Sequence, residues 1–129
     1  MRIGFFFIVP AFVVAGLVFP VPAGAECYDK PSAYVIWAKC DKARANLKGV
    51  NLKGAVLEDA VLHDTDLSGA NLERADLRGA DLTEANLERA NLSNAKLDGA
   101  KLQGVRMAGA IWIDGKRKCK GGSVGRCEK

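Results

Sequence analysis

Aromatic side chains make up only 7% of these 129 residues, and His63 is the sole histidine. Apolar content is an ordinary 49%, but it consists mostly of Ala, Leu and Val, side chains too small to fill a conventional globular core. A composition of this kind packs as a repeat. Ser68, Ser93 and Ser123 have no histidine beyond His63 to activate them, and no glycine-rich phosphate loop interrupts the chain. The four cysteines read as bridges rather than as zinc ligands or nucleophiles. No enzyme, cofactor or metal is expected, and no catalytic, cofactor-binding or metal-ligating residue is assigned.

Charge is also scarce at the start. Arg2 is the only charged residue before Glu26, and the run from Ile3 to Val18 is apolar apart from Gly4, Pro10 and Gly16. Ala23-Gly24-Ala25 then offers the small-x-small pattern of a signal-peptidase site, so residues 1–25 read as a secretory signal cut after Ala25. An uncleaved anchor is the alternative, because Ile3 to Ala25 is 23 uncharged residues, although Pro20 and Pro22 sit badly in a spanning helix. Lipidation at Cys27 is disfavoured by Glu26, which stands where a lipobox needs a small residue. The expected location is outside the cytoplasm, in a bacterial periplasm, with no membrane span after cleavage. In that oxidising space Cys27, Cys40, Cys119 and Cys127 form two disulfides, and the residues alone permit three pairings.

From residue 45 to residue 114 the chain moves in steps of five. Leucine occupies positions 47, 52, 57, 62, 67, 72, 77, 82, 87, 92, 97 and 102, and Met107 and Trp112 continue the series to 14 steps. Two residues before each stands a small residue: Ala in 11 cases, Val50, Val105 and Thr65 in the others. The unit is Ala-(Asp/Asn)-Leu-x-x. A five-residue step in an α-helix rotates about 140° past a full turn and scatters the leucines around the axis. In a strand, successive leucines would alternate faces. The unit therefore needs its own turn, with Ala and Leu inward and three positions outward, and must stack on copies of itself to bury that inner face. Lys42 stands where an inward leucine is expected one step before Leu47, so residues 40–44 read as an irregular lead-in.

The run from Ala45-Asn46-Leu47 to Ala110-Ile111-Trp112 resembles the pentapeptide repeat family. The resemblance implies an all-β fold, a right-handed quadrilateral β-helix of about 3.5 coils in which residues 20 apart stack at the strand spacing of ~4.8 Å. It divides the chain into a signal at 1–25, an N-terminal cap at 26–44, a solenoid at 45–114 and a basic C-terminal cap or tail at 115–129. The implied height of about 17 Å puts the early and late cysteines at opposite ends, which implies the local pairs Cys27–Cys40 and Cys119–Cys127, each holding a cap over a terminal coil. The flanks Cys27-Tyr28-Asp29-Lys30-Pro31 and Gly122-Ser123-Val124-Gly125-Arg126-Cys127 are similar to those of small exported pentapeptide proteins.

Stacking at 20 residues also aligns the surface. Glu58, Arg78 and Asp98 form one column, Asp76 faces Lys96, Asp81 faces Lys101, and Asn51, Asn71 and Asn91 form a row expected to hydrogen-bond along the stack. His63, Asp64 and Glu84 are the best place for acid–base or divalent-cation chemistry, although all lie at outward positions. Residues 45–114 carry 8 basic and 11 acidic side chains, whereas 115–129 carry six basic (Lys116, Arg117, Lys118, Lys120, Arg126 and Lys129) and one acidic. The tail is first a solvated, solubility-promoting segment and second a contact for an anionic envelope component or an acidic protein. The functional expectation is a non-enzymatic exported scaffold in the cell envelope that binds a protein or anionic partner and not nucleic acid, with an end-to-end homodimer as a further option. A DNA-mimicking regulator of DNA gyrase, known in the family, is the alternative; the net −3 of the repeat and the export signal rank it second.

Overall fold

The computed structural model describes residues 25–128. The segment read as a signal peptide, apart from Ala25, lies outside them, as does Lys129. Among the described residues no helix is long and apolar enough to cross a membrane; the one helical element is a short 3-10 turn at Ala25–Tyr28.

The five-residue unit makes a tight turn because its last residue takes the left-handed conformation. Within each unit the amide of the next small residue donates to the leucine carbonyl, as Ala70 does to Leu67 at 3.0 Å, and the residue between them has positive φ, +67° at Gly69. This is a type II turn. Such corners recur at every fifth residue from Tyr34 to Gly109, sixteen in all, and four corners close a square coil. Parallel bridges join residues 20 apart, from Ile36 with Val56 to Asn91 with Ile111, so four coils stack in register.

Where an interior unit carries Asn or Asp at its second place, every backbone donor finds a partner. In Ala70–Arg74 the Ala70 amide closes the preceding turn, the Asn71 amide donates back one coil to Val50, and those of Leu72 and Arg74 donate forward to Asn91 and Ser93, at 2.8–3.0 Å. The fifth amide, that of Glu73, donates to the Asn71 side-chain oxygen at 3.1 Å. That local bond explains why Asn and Asp dominate the second place of the unit. Ala and Leu are then free to point inward: Leu52 through Leu92 and Ala55 through Ala90 line a buried interior. Thr65, the polar member of the small-residue series, is fully buried and donates its hydroxyl to the Lys42 carbonyl at 2.9 Å.

The solenoid boundaries differ from those expected. Residues 40–44 are a regular side of the first coil and not a lead-in, with Asp41 bridged to Val61 and Arg44 at φ +58°. The coil begins near Tyr34, inside the segment assigned to the N-terminal cap, which raises the count from 3.5 coils to four. Turn and bridge are made by backbone, so leucine is dispensable where the inner place faces an end. There Lys42 sends its amine over the Trp37 ring, 4.2 Å from its centroid, and on to the Cys27 carbonyl. Trp37, only 1% exposed, supplies the bulk that leucine supplies elsewhere. At the other end the left-handed residue slips: the turn after Trp112 still closes from the Gly115 amide to the Trp112 carbonyl at 2.8 Å, but the positive φ falls on Gly115 itself, one residue late.

Candidate functional site

The interior is filled, so whatever this protein recognises meets its outer columns or its ends. Glycine shapes those columns. Tyr34 lies against Gly54, and the carboxylates of Asp59 and Glu84 lie over Gly79 and Gly104, one coil further on; a Cβ built at Gly54 would come within 2.5 Å of the Tyr34 ring. The left-handed corner side chain of one coil thus lies down on a glycine 20 residues later. Sequence reading missed this pairing, although the signal, a large corner residue followed by glycine at i+20, is visible.

This packing separates the acid–base candidate. His63 Nδ1 is 3.1 Å from Asp64 Oδ2, but the Glu84 carboxylate is folded away over Gly104. Among the described residues no group of three or more His, Cys, Asp or Glu side chains is placed to hold a metal ion.

The polar columns work locally more than vertically. Asn51, Asn71 and Asn91 do stack, but each side-chain oxygen accepts the amide two residues on, at 3.0–3.2 Å, in place of the expected ladder along the stack. Arg78 grips Asp76 in its own unit with two bonds of 2.8 and 2.7 Å and approaches Glu58 only to 3.9 Å. That grip holds the Asp76 carboxyl below the usual carboxylate range. Asp66 and Asp81 are lowered in the same way, chiefly by hydroxyl bonds from Ser68 and Thr83. Between coils, Lys101 reaches Asp81 at 3.4 Å, and Lys53 reaches Glu73 at 3.2 Å, a pair the sequence reading did not single out. Asp76 and Lys96 make no close ion pair among the described residues.

Both ends are clamped. Cys27–Cys40 ties the N-terminal segment to the inner place of the first coil, and Cys119–Cys127 closes a loop beyond the last, with Cα separations of 5.4 and 4.9 Å. The basic segment does not trail into solvent. It runs antiparallel back over the last coil, pairing Lys118 with Ile111 and Val124 with Arg106, and Met107, Gly109 and Trp112 donate to Ser123, Cys119 and Arg117. Backbone pairing seals two of the four sides. On the other two, the amides of Leu97, Gly99, Leu102 and Gly104 have no partner among the described residues. Asp114 turns the chain into this cap by accepting the amides of Arg117 and Lys116 at 2.8 and 3.0 Å, which lowers its carboxyl.

A square coil with a 20-residue period and an inward Ala/Leu pair is the architecture of a repeat solenoid. The model of pentapeptide repeats matches residues 43–79 and 75–111 in eight copies, and the chain belongs to that family, whose members fold as right-handed quadrilateral β-helices. Among solved structures, a pentapeptide repeat protein of the Arabidopsis thaliana thylakoid lumen is 35% identical over 57% of this chain and 55% of its own, with a TM-score of 0.38. One from Nostoc PCC 7120 is 36% identical over 58% and 66%, with a TM-score of 0.40. QnrB1, a plasmid-mediated fluoroquinolone resistance protein, is 17% identical over 58% and 42%, with a TM-score of 0.33. The chain thus spans about half to two thirds of the first two relatives' length. No curated protein matches it.

Proposed function

We propose that this chain is a non-enzymatic scaffold of the cell envelope, exported from the cytoplasm and locked at both ends by disulfides, which presents its outer surface to a partner. The observation that carries this reading is the placement of the cysteines: all four are paired, and each pair holds a chain end against a terminal coil. A solenoid's terminal coils expose unpaired backbone and need caps, and disulfides are a durable means of holding them only where the surroundings are oxidising. The leading segment, with its apolar run and Ala23-Gly24-Ala25, supports the same compartment. Filled interior space and the separation of His63 and Asp64 from Glu84 favour binding over catalysis.

Intact mass and cell fractionation of the native protein test this. The expected result is a chain beginning at Glu26, lighter than its reduced form by the hydrogens of two bridges, and found in the periplasm. An uncleaved, reduced chain in the cytoplasm would overturn it and bring forward the DNA-mimicking reading.

A further inference from the structure

The C-terminal cap carries a surface that scaffolding alone does not require. Charge is segregated along the solenoid: residues 55–95 hold nine acidic and three basic side chains, whereas residues 96–128 hold three acidic and eight basic. In the antiparallel segment Lys118 and Lys120 are exposed on either side of the buried Cys119, so strand alternation sets those two amines on one side, and Lys116 is exposed in the bend that leads into them. None of the three makes an ion pair among the described residues.

Apolar side chains lie beside these cations. Ile111 is bridged to Lys118 and Val124 to Arg106, and the members of a bridged pair project to the same side. Ile111, Ile113 and Val124 are 37%, 36% and 54% exposed, half of the large apolar side chains left open on the described surface. The two pairs flank the Gly109 corner, which Lys118 reaches, its Cε 3.7 Å from where a Cβ would stand, an ordinary contact distance. β-Branched aliphatics are thereby interleaved with long, flexible amines along one edge of the molecule.

We propose that this edge docks on an anionic lipid bilayer, with Ile111, Ile113 and Val124 entering the interface and Lys116, Lys118, Lys120 and Arg106 meeting headgroup phosphates. The proposal rests on the envelope reading above and names its partner. A bilayer suits this edge better than an acidic protein does. Compact ammonium charges on flexible stems suit fluid headgroups, whereas a fixed carboxylate partner favours planar, bidentate Arg.

The test is co-sedimentation of the native oxidised protein, as processed to begin at Glu26, with vesicles of phosphatidylcholine alone or mixed with phosphatidylglycerol, at low and high salt. Removal of the apolar leader keeps it from binding the vesicles by itself. Salt-sensitive binding to the anionic vesicles alone is expected. Lys116→Glu/Lys118→Glu/Lys120→Glu should weaken it by a hundredfold or more, at about fivefold per cation lost, and Val124→Asp by about tenfold. All these positions are exposed, and an unchanged circular dichroism spectrum and intact mass will show that the variants fold and keep their bridges. Equal binding to neutral vesicles, no binding, or indifference to the triple substitution overturns the proposal. So does full displacement by poly-L-glutamate with Val124→Asp neutral, the signature of a general polyanion binder. A chain found in the periplasm that ignores vesicles refutes the docking edge and leaves export standing; a cytoplasmic chain refutes the envelope reading whatever the vesicles show.

Discussion

Gly69 shows what one atom does in this fold. Its φ is +67°, and a Cβ built on it meets nothing within 4 Å, so a substitution there feels backbone strain and no collision. Gly69→Ala should lower stability by about 1 kcal/mol, read as a shifted denaturant midpoint with unchanged m-value. Gly54→Ala should cost more, because the Tyr34 ring occupies the space. Nine of the sixteen corners tolerate the same conformation without glycine, among them Arg74, Glu84 and Arg89. Composition does not mark those corners, since any residue can be forced left-handed when the bonds on both sides are worth more than the strain. The five-residue period marks those from Asp59 to Asn94, while Tyr34, Lys39 and Arg44 precede the recognisable run.

The five-residue unit is held by a bond within itself and by bonds to the coils on either side. Asp66, Asp76 and Asp81 cap their own turns, and bonds from neighbouring side chains lower all three carboxyls. A depressed folded-state pKa means that the unfolded chain takes up protons first as pH falls. The stability these groups contribute is therefore fully present above the ordinary Asp pKa of about 3.9 and is lost as pH drops through the lowered folded values. Asp81→Asn keeps an oxygen to cap Thr83 but cannot titrate, so thermal melts from neutral pH down to below pH 4 should show a shallower acid loss in the variant. An equal acid loss would show that the Asp81 cap does not carry it. The inward Ala and Leu and the Asp/Asn place were legible in sequence because each repeats. That the Asn row caps turns instead of bonding along the stack was not, since both arrangements use the same residues and only backbone geometry decides which amide lies nearer.

A solenoid passes stability from neighbour to neighbour, so position along the stack sets the cost of a lesion. Leu82 is fully buried between coils, whereas Leu97 sits on an unsealed side of the last coil and is partly buried. Leu82→Ala should cost about 3 kcal/mol and Leu97→Ala about 1 kcal/mol in chemical denaturation. Similar losses would indicate that something covers the Leu97 side in solution, where the amides of Leu97, Gly99, Leu102 and Gly104 have no partner among the described residues.

The five-residue period by itself determined that this chain stacks and which side chains face inward, because an Ala/Leu pair at that spacing can leave water only inside a coil with its own corners. It could not say where stacking stops. The first coil reaches back to Tyr34 through Trp37 and Lys42, the last slips at Gly115, and the basic segment folds home over Arg106 and Ile111. Those outcomes belong to the tertiary structure, since an end has a neighbour on one side only. There the periodic pattern loses its partner, and unrepeated side chains and backbone pairing across many residues decide what covers the core.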